Sequence, residues 1–499
     1  MPAVELFQGE TKSPNRVNNS PVANVYLCIH GPSIVHSAPQ SCTIQGANCI
    51  YDKLNLSADG LQRLRASTRD QQFQITVERL ITPYPDGVLL QLLAEFVQEV
   101  VYQQYYEQTL RIPPNAALVD LAIKNAPELR TIIVAAANNQ LTSLQVQRSA
   151  LRSVPDAFRN LNKLQHLDLD YNALETLSLD AFGSNSKIFI LSCSYNKITQ
   201  LVASRNASLI VPLVDLLLSY NRLKSINGSF FRPLQMLKFV NFDGNQIQRI
   251  EGAPLSLPQV KYISFMQNRL SQLDVSRWNV PELVEIFLER NNLTRIPIGI
   301  ERLPSLTSLV LQNNLLTVVD MRRFENWTIL QKIDLSGNLI RNVITSGTGR
   351  ILLPNVTIVN LSQNQLTRVE YRRWDIPKLG TLMIAFNQFQ QLPDLFQLFP
   401  KLNRVIAFQN PFLCSAIRRW QQYIADFKLS VDTTAFGLPS LQHSKKDGAI
   451  VVDPSGHSLA SCGGPRINFP ERISSARAFN KAQGSGLLYK LNETIAGKD

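Results

Sequence analysis

The sequence predicts an α/β solenoid, in which short repeated units stack their strands into one parallel sheet between two terminal caps. Two observations support this prediction: an eleven-residue pattern of leucines and asparagine recurs along most of the chain, and cysteines lie before and after the recurring part. With 499 residues, 44% hydrophobic and 18% charged, the chain is not of the disordered class. No apolar run approaches the roughly 20 residues of a membrane helix, so no membrane span is expected.

The recurring unit reads LxxLxLxxNxL, as in the segment Leu164–Leu174. Its first position, at steps of 23 to 26 residues, falls on Leu141, Leu164, Ile188, Leu213, Leu237, Val260, Leu283, Leu306, Leu330, Val356, Leu379 and Leu402. A thirteenth, degenerate unit begins at Leu118. Positions one, four, six and eleven should point inward and build an aliphatic core, because no single unit can bury its own apolar side. Cys193, at position six, is therefore expected to be a buried thiol.

Position nine is asparagine in eleven of the twelve clear units, and Ser149 replaces it in the first. Each unit turns a strand into a loop, and this turn leaves backbone groups without a strand partner. An asparagine amide offers both donors and an acceptor, so stacked asparagines can satisfy these groups from one unit to the next.

These residues resemble the leucine-rich-repeat family, over about residues 118–410. The resemblance implies a horseshoe-shaped solenoid with a parallel sheet on its concave face. It does not imply one function, because the fold serves many unrelated partners.

Three segments resemble secreted leucine-rich-repeat proteins of mosquitoes, including the leucine-rich immune proteins: Leu144–Pro155, Leu179–Phe182 and the start at Cys49–Asp52. This resemblance implies a role in innate immunity and a protein partner, which can be another leucine-rich-repeat protein. Some members pair through a C-terminal coiled coil. Residues 463–499 contain no heptads, so that mode of pairing is not transferred to this chain.

The caps are predicted from the flanking cysteines. Cys42 and Cys49 resemble a small disulfide-closed N-terminal cap, and Cys414 follows the Asn-Pro-aromatic start of an extracellular C-terminal cap. In that family such a cysteine joins one downstream, which implies a Cys414–Cys462 pair. The domain prediction is a leader or disordered segment at 1–40, an N-terminal cap region at 41–117, repeats at 118–410, a C-terminal cap at 411–462 and a disordered tail at 463–499.

Paired flanking cysteines favour an oxidising compartment, although the first 24 residues contain no clear signal peptide. Nine glycosylation sequons favour the same compartment, and those within the repeats begin at Asn206, Asn227, Asn292, Asn326, Asn355 and Asn360. An extracellular, secreted protein is expected, and a cytoplasmic one is the alternative.

A ligand is expected on the concave face, which positions two, three, five, seven and eight should form. Its basic residues are Arg148, Lys238, Lys261, Arg290, Lys332 and Arg404, and its acidic residues are Asp168, Asp170, Asp215, Asp243, Glu285, Glu289 and Asp334. The formal net charge of +12 therefore lies elsewhere, and a basic groove for nucleic acid is not expected here.

Tyr171, Tyr195 and Tyr220 occupy position eight of three consecutive units and should form one ladder. They form the first candidate partner-binding site with the nearby Asp168, Asp170 and Asp215, because tyrosines are enriched at interface hot spots. Simple coverage of the core is the alternative reading of the rings. A second candidate patch comprises Met266, Phe287, Glu289 and Arg290, and a third comprises Phe386, Arg404 and Phe408.

No catalytic motif is present: His166 lies near Asp168, but no nucleophile has a spacing that completes a triad. Zinc-site cysteine spacing and a glycine-rich phosphate loop are also missing from the sequence, so no cofactor or metal is expected. The functional prediction is a non-enzymatic, secreted recognition protein. The alternatives are a cytosolic adaptor or inhibitor on the same fold, and a binder of nucleic acid or anionic surfaces.

Overall fold

The computed structural model describes residues 43–46, 48–55, 74–81, 88–93, 97–114, 117–183 and 187–431. All of them belong to one compact unit. Leucine-rich rungs form this unit, and each rung adds one strand to a common sheet.

One long sheet of eighteen strands organises the described residues. Its strands, in spatial order, are Thr43–Gln45, Asn48–Tyr51, Gln74–Val77, Glu99–Tyr102, Asp120–Ile123, Ser143–Val146, His166–Asp168, Ile190–Ser192, Asp215–Leu217, Phe239–Asn241, Tyr262–Ser264, Glu285–Phe287, Ser308–Val310, Lys332–Asp334, Ile358–Asn360, Thr381–Met383, Arg404–Ile406 and Leu429–Ser430. The first strand is antiparallel to the second, and all other neighbours are parallel. Equivalent repeat positions pair directly, so each column of side chains runs from rung to rung.

Shorter elements return the chain between these strands. Six two-stranded parallel pairs join Leu54–Asn55 to Leu80–Ile81, Thr109–Ile112 to Thr131–Val134, Thr176–Ser178 to Gln200–Val202, Ser225–Asn227 to Arg249–Glu251, Val318–Asp320 to Asn342–Ile344, and Ile351–Leu352 to Trp374–Asp375. The 3-10 helices are Asp156–Asn160, Asp180–Phe182, Gly228–Phe231, Ile300–Arg302, Met321–Phe324 and Tyr371–Arg373, and the α-helices are Val88–Leu93, Leu395–Leu398, Cys414–Arg419 and Gln421–Ala425.

The core lies between the sheet and these returning segments. In the Leu164 rung, the side chains at positions four, six and eleven, Leu167, Leu169 and Leu174, are completely buried. Burying a leucine stabilises a fold by about 1.5–3 kcal/mol, so the stacked columns supply the main driving force. Cys193 is a buried free thiol within one of these columns, which confirms its predicted place in the core.

The position-nine asparagines bond from rung to rung, as the sequence predicted. Asn196 Nδ2 donates to Leu169 O of the preceding rung (2.8 Å), and its Oδ1 accepts from Leu174 N (3.0 Å). The same two bonds recur at every later asparagine of the ladder up to Asn410. Each amide thus satisfies backbone groups that the turn would otherwise leave buried and unpaired.

Parallel rungs also precede the degenerate unit at Leu118. The strands Gln74–Val77 and Glu99–Tyr102 continue the long sheet into the segment for which the sequence predicted a cap. These rungs lack the diagnostic asparagine: Tyr105 stands at position nine, where its hydroxyl donates to Thr109 O (2.9 Å). A repeat search that relies on asparagine therefore misses them.

At the C-terminal end, two short helices and one strand close the sheet. Phe412 packs edge-to-face on Trp420, with ring centroids 5.1 Å apart, and the Tyr423 hydroxyl donates to the Asp394 carboxylate (3.1 Å). Cys414 begins the first of these helices, whereas Cys462 lies outside the described residues. The Cys414–Cys462 disulfide therefore remains a prediction.

Cys49 is disulfide-bonded, and its side chain is completely buried. Cys42 and Cys28 lie outside the described residues, so the predicted Cys42–Cys49 pairing also remains a prediction. Among the helices that the structure describes, none has the length and apolar character needed to cross a membrane.

Candidate functional site

Position eight has a left-handed backbone in every clear repeat. Tyr171, Tyr195 and Tyr220 have φ values of 60°, 56° and 55°, and Gly244 and Gly337 have 66° and 67°. The same holds for the remaining residues of this column, Arg148, Gln267, Arg290, Asn313, Gln363, Phe386 and Gln409. A non-glycine residue in this region costs about 1–2 kcal/mol, so the rung-to-rung bonds around the turn must hold it there. The side chain is thereby fixed at the edge of the sheet face.

The three tyrosines form one stacked ladder, as predicted. The ring centroids of Tyr171 and Tyr195 are 4.4 Å apart with planes 7° from parallel, and those of Tyr195 and Tyr220 are 4.5 Å apart at 13°. The side chains are nevertheless 42–44% exposed. Because each ring covers the face of its neighbour, the ladder presents ring edges and hydroxyls to solvent.

Two residues close the ladder at its ends. The Arg148 guanidinium carbon lies 4.9 Å from the centroid of the Tyr171 ring, in cation–π geometry. At the other end Gly244 lies so close that a Cβ added there would come within 2.6 Å of the Tyr220 ring. Sequence reasoning missed both residues as parts of the ladder. Their place at position eight of the flanking repeats was the signal that could have found them.

Asp168 and Asp170, predicted to assist the tyrosines, are held by internal hydrogen bonds. Asp168 accepts from Gln147 Nε2 (2.6 Å) and from the Asp170 backbone N–H (2.9 Å). Asp170 accepts from the Ser192 hydroxyl (2.6 Å) and the Ser194 N–H (2.7 Å) of the next rung. These bonds tie neighbouring rungs together directly beneath the ladder, so the two carboxylates support the position of the rings.

Burial raises the pKa of three aspartates along this part of the face. Desolvation raises the pKa of Asp170, Asp215 and Asp243 to about 6 in each case. Asp168 adds to the rise at Asp170, whereas the positive charge of Lys238 opposes the rise at Asp215. All three groups are thus mainly ionised at neutral pH, and the face around the ladder is acidic.

The second candidate patch spans the second and third rungs beyond that of Tyr220. Met266 and Phe287 are half-buried on the sheet face, and Arg290 is exposed at position eight. Glu289, in contrast, is only 9% exposed. Its Oε2 has no hydrogen-bond partner, and desolvation raises its pKa to about 8. The sequence could not indicate this burial, because it depends on the length of the side chains in the two neighbouring rungs.

The third patch brings two aromatic rings together beside the C-terminal end. Phe386 and Phe408 meet edge-to-face with centroids 5.2 Å apart, and Phe386 is 37% exposed. Arg404 is exposed on the neighbouring strand. This pair is smaller than the tyrosine ladder.

The sequons within the repeats lie in two kinds of environment. Asn206, Asn227, Asn292 and Asn326 are exposed. At the other two sequons the amide nitrogen itself donates: Asn355 Nδ2 to Thr328 O (2.6 Å), and Asn360 Nδ2 to Asp334 (3.2 Å). The described residues contain no group of His, Cys, Asp and Glu that could hold a metal ion.

Comparisons with known proteins agree with this architecture. The family model described as Leucine rich repeat matches residues 139–198, 281–340 and 304–366. The leucine-rich-repeat domain of the mosquito protein APL1 is 19% identical, with a TM-score of 0.53 over 80% of this chain and 94% of its own. The mosquito LRIM1/APL1C complex is 18% identical, with a TM-score of 0.51 over 76% of this chain and 65% of its own. A leucine-rich-repeat protein of Leptospira interrogans is 21% identical, with a TM-score of 0.50 over 77% of this chain and 90% of its own.

The chain therefore has the leucine-rich-repeat fold, a solenoid built around one parallel sheet. Its fold is similar to those in the structures of the mosquito protein APL1 and of the mosquito LRIM1/APL1C complex.

Proposed function

We propose that this chain is a non-enzymatic, secreted recognition protein that captures a protein partner on the exposed face of its long sheet. The observation that carries the proposal is the ladder of Tyr171, Tyr195 and Tyr220, whose stacked rings are 42–44% exposed. Capture of a partner is the whole activity in this proposal.

The ladder has the physical properties of an interface hot spot. Stacking and the left-handed backbone already restrict the rotamers of the three rings, so a partner that binds them loses little further entropy. Tyrosine also offers a large apolar edge together with a hydroxyl, and single hot-spot residues contribute about 2 kcal/mol or more to binding. These properties favour recognition over simple coverage of the core.

The charges around the ladder favour a protein over a nucleic acid. Asp168, Asp170 and Asp215 lie near the rings, and their negative charges would repel a polyanion that approaches the tyrosines. A nucleic-acid surface needs basic residues interleaved with stacked bases. Here the ring faces are already occupied by one another and by Arg148.

The secreted location is part of the same proposal. The disulfide at Cys49 supports an oxidising compartment, and the exposed sequons at Asn206, Asn227, Asn292 and Asn326 are accessible for glycosylation. The solved LRIM1/APL1C structure is a complex of two different proteins, which supports a protein partner for this chain. The resemblance to mosquito leucine-rich-repeat proteins extends the proposal to a role in innate immunity.

The test is affinity capture from extracellular fluid of the source organism with the intact chain and two variants. The triple variant Y171A/Y195A/Y220A should weaken capture at least about a hundredfold, because it removes the whole ladder. The matched control is Y106A, since Tyr106 is 58% exposed and lies outside the ladder. It should bind as the unchanged chain does.

Circular dichroism and urea unfolding of both variants separate loss of binding from loss of fold. Equal capture by the triple variant and the unchanged chain would move the site to another patch. Non-reducing mass spectrometry tests the location: free thiols throughout and unmodified sequons would favour the cytosolic alternative.

A further inference from the structure

Glu289 is a carboxyl group without enough hydrogen-bond partners on the sheet face. It lies at position seven of its rung and is 9% exposed. One of its oxygens accepts from its own backbone N–H, whereas Oε2 has no partner. A buried polar group left unpaired is costly, so native proteins rarely retain one without a reason.

The equivalent carboxyls of two other rungs show what is missing. Asp170 Oδ1 accepts from the Ser192 hydroxyl and the Ser194 N–H of the next rung. Asp243 Oδ1 likewise accepts from the Ser264 hydroxyl (2.5 Å) and from the N–H of the next rung (2.8 Å). Both serines stand at position five of the rung that follows.

In the rung after Glu289, position five is Val310, which pairs in register with Phe287. Valine cannot donate a hydrogen bond, so the hydroxyl that serves the two aspartates is missing here. The longer glutamate side chain also reaches further across the face than an aspartate does. The carboxyl group is therefore buried beside Met266, Phe287 and Gln312, and Oε2 meets a donor from outside when the glutamate side chain turns towards solvent.

The surrounding charges define which donor fits. Asp243 and Asp334 lie close enough to disfavour a second negative charge at Glu289, and Lys332 opposes them only in part. An arriving cation relieves this repulsion and satisfies Oε2 at once, whereas a neutral donor satisfies the oxygen alone. A cation with an aliphatic stem also matches the apolar side chains around the carboxyl group.

We propose that Glu289 receives a lysine or arginine side chain of the protein partner, with Phe287 and Val310 in contact with its stem. The inference rests on the proposed function, since it names the chemistry of the partner on the same sheet face. Binding ionises Glu289, and the carboxyl proton leaves to solvent while the partner's cation stays charged.

The experiment uses a library of random peptides displayed on phage, selected on the immobilised full chain and on E289Q. The unchanged chain should enrich peptides with a lysine or arginine at a fixed position, and E289Q should not. A selected peptide should bind E289Q about ten- to a hundredfold more weakly, as expected for the loss of one charge-assisted hydrogen bond. Replacement of its basic residue by norleucine should give the same loss.

A second variant keeps the test independent of how E289Q folds. V310S places a hydroxyl where Ser192 and Ser264 stand in the other rungs, so it supplies the internal donor and should weaken the peptide. For the unchanged chain, affinity should fall by about tenfold per pH unit below about pH 8, because the cation requires the ionised carboxyl. This dependence should vanish in E289Q.

The assignment is overturned if the selected peptides share no basic residue. It is also overturned if a selected peptide binds E289Q and V310S as tightly as it binds the unchanged chain. The two proposals can fail separately. If partner capture depends on the tyrosines but not on Glu289, this inference alone is refuted. If a selected peptide depends on Glu289 but partner capture does not depend on the tyrosines, the proposed role of the ladder in binding is refuted.

Discussion

Replacing Asn291 by alanine should destabilise the fold more than any exposed substitution beside it. Asn291 is 4% exposed, and its Nδ2 donates to Phe265 O (2.7 Å) and Leu288 O (3.1 Å). Its Oδ1 accepts from Leu270 N (3.0 Å). Alanine removes these three bonds and a longer fourth one, from Nδ2 to Glu289 O (3.3 Å).

The magnitude follows from the groups that lose their partner. The Leu270 N–H and the Phe265 carbonyl lie between rungs, where no strand partner replaces the amide. An unpaired buried group costs about 1–3 kcal/mol, so the free energy of unfolding should fall by about 2–5 kcal/mol. Asn292 provides the matched control, because it is the next residue, has the same chemistry and is exposed. N292A should change stability by less than about 0.5 kcal/mol.

The assay is urea unfolding followed by circular dichroism, with both variants produced in a periplasm that attaches no glycans. Hydrogen exchange should locate the weakening in the two rungs that the amide joins, since repeats contact only their neighbours. A loss for N291A no larger than that for N292A would refute the view that the ladder stabilises the turns.

Two further substitutions test the sheet face. Burial raises the pKa of Asp243 from 3.8 to about 6, so its contribution to stability is complete below about pH 4 and is lost as the pH rises through 6. As the pH rises from about 4 to about 7.5, the free energy of unfolding of D243N should therefore increase by about 1–3 kcal/mol relative to that of the unchanged chain, as measured by urea unfolding. D156N, at a carboxyl that is 87% exposed, should show no such increase. Equal pH profiles of D243N and the unchanged chain would contradict the burial argument. G244A places a Cβ 2.6 Å from the Tyr220 ring at φ +66°, so it should lower thermal stability by about 1–3 kcal/mol, whereas G380A, with no atom nearer than 3.8 Å, should not. Unchanged thermal stability of G244A would show that the Tyr220 ring can move away from residue 244 at little cost.

Much of the fold could be predicted because every repeat must meet the same physical requirement with the same residue types. The asparagine at position nine must satisfy the same buried groups in each rung, so its column is visible in the sequence. The N-terminal rungs were not found because they lack this asparagine; in the Glu99–Tyr102 rung, position nine is Tyr105, whose hydroxyl donates to Thr109 O.

The candidate site was predicted only in part. The shared position of Tyr171, Tyr195 and Tyr220 was enough to predict the ladder, since a column in a parallel sheet stacks at about 5 Å. The left-handed backbone beneath it was not predicted, because tyrosine does not favour that conformation by itself. The orphaned oxygen of Glu289 depends on Val310 in the next rung, a relation that spacing alone does not reveal.

The most direct test of the proposed binding face is hydroxyl-radical footprinting of the full chain, alone and saturated with its captured partner. The account predicts that Tyr171, Tyr195 and Tyr220 lose most of their labelling in the complex, while Tyr106 keeps its own, because the ladder is covered and Tyr106 is not. Unchanged labelling of all three ladder tyrosines, with protection elsewhere, would contradict it.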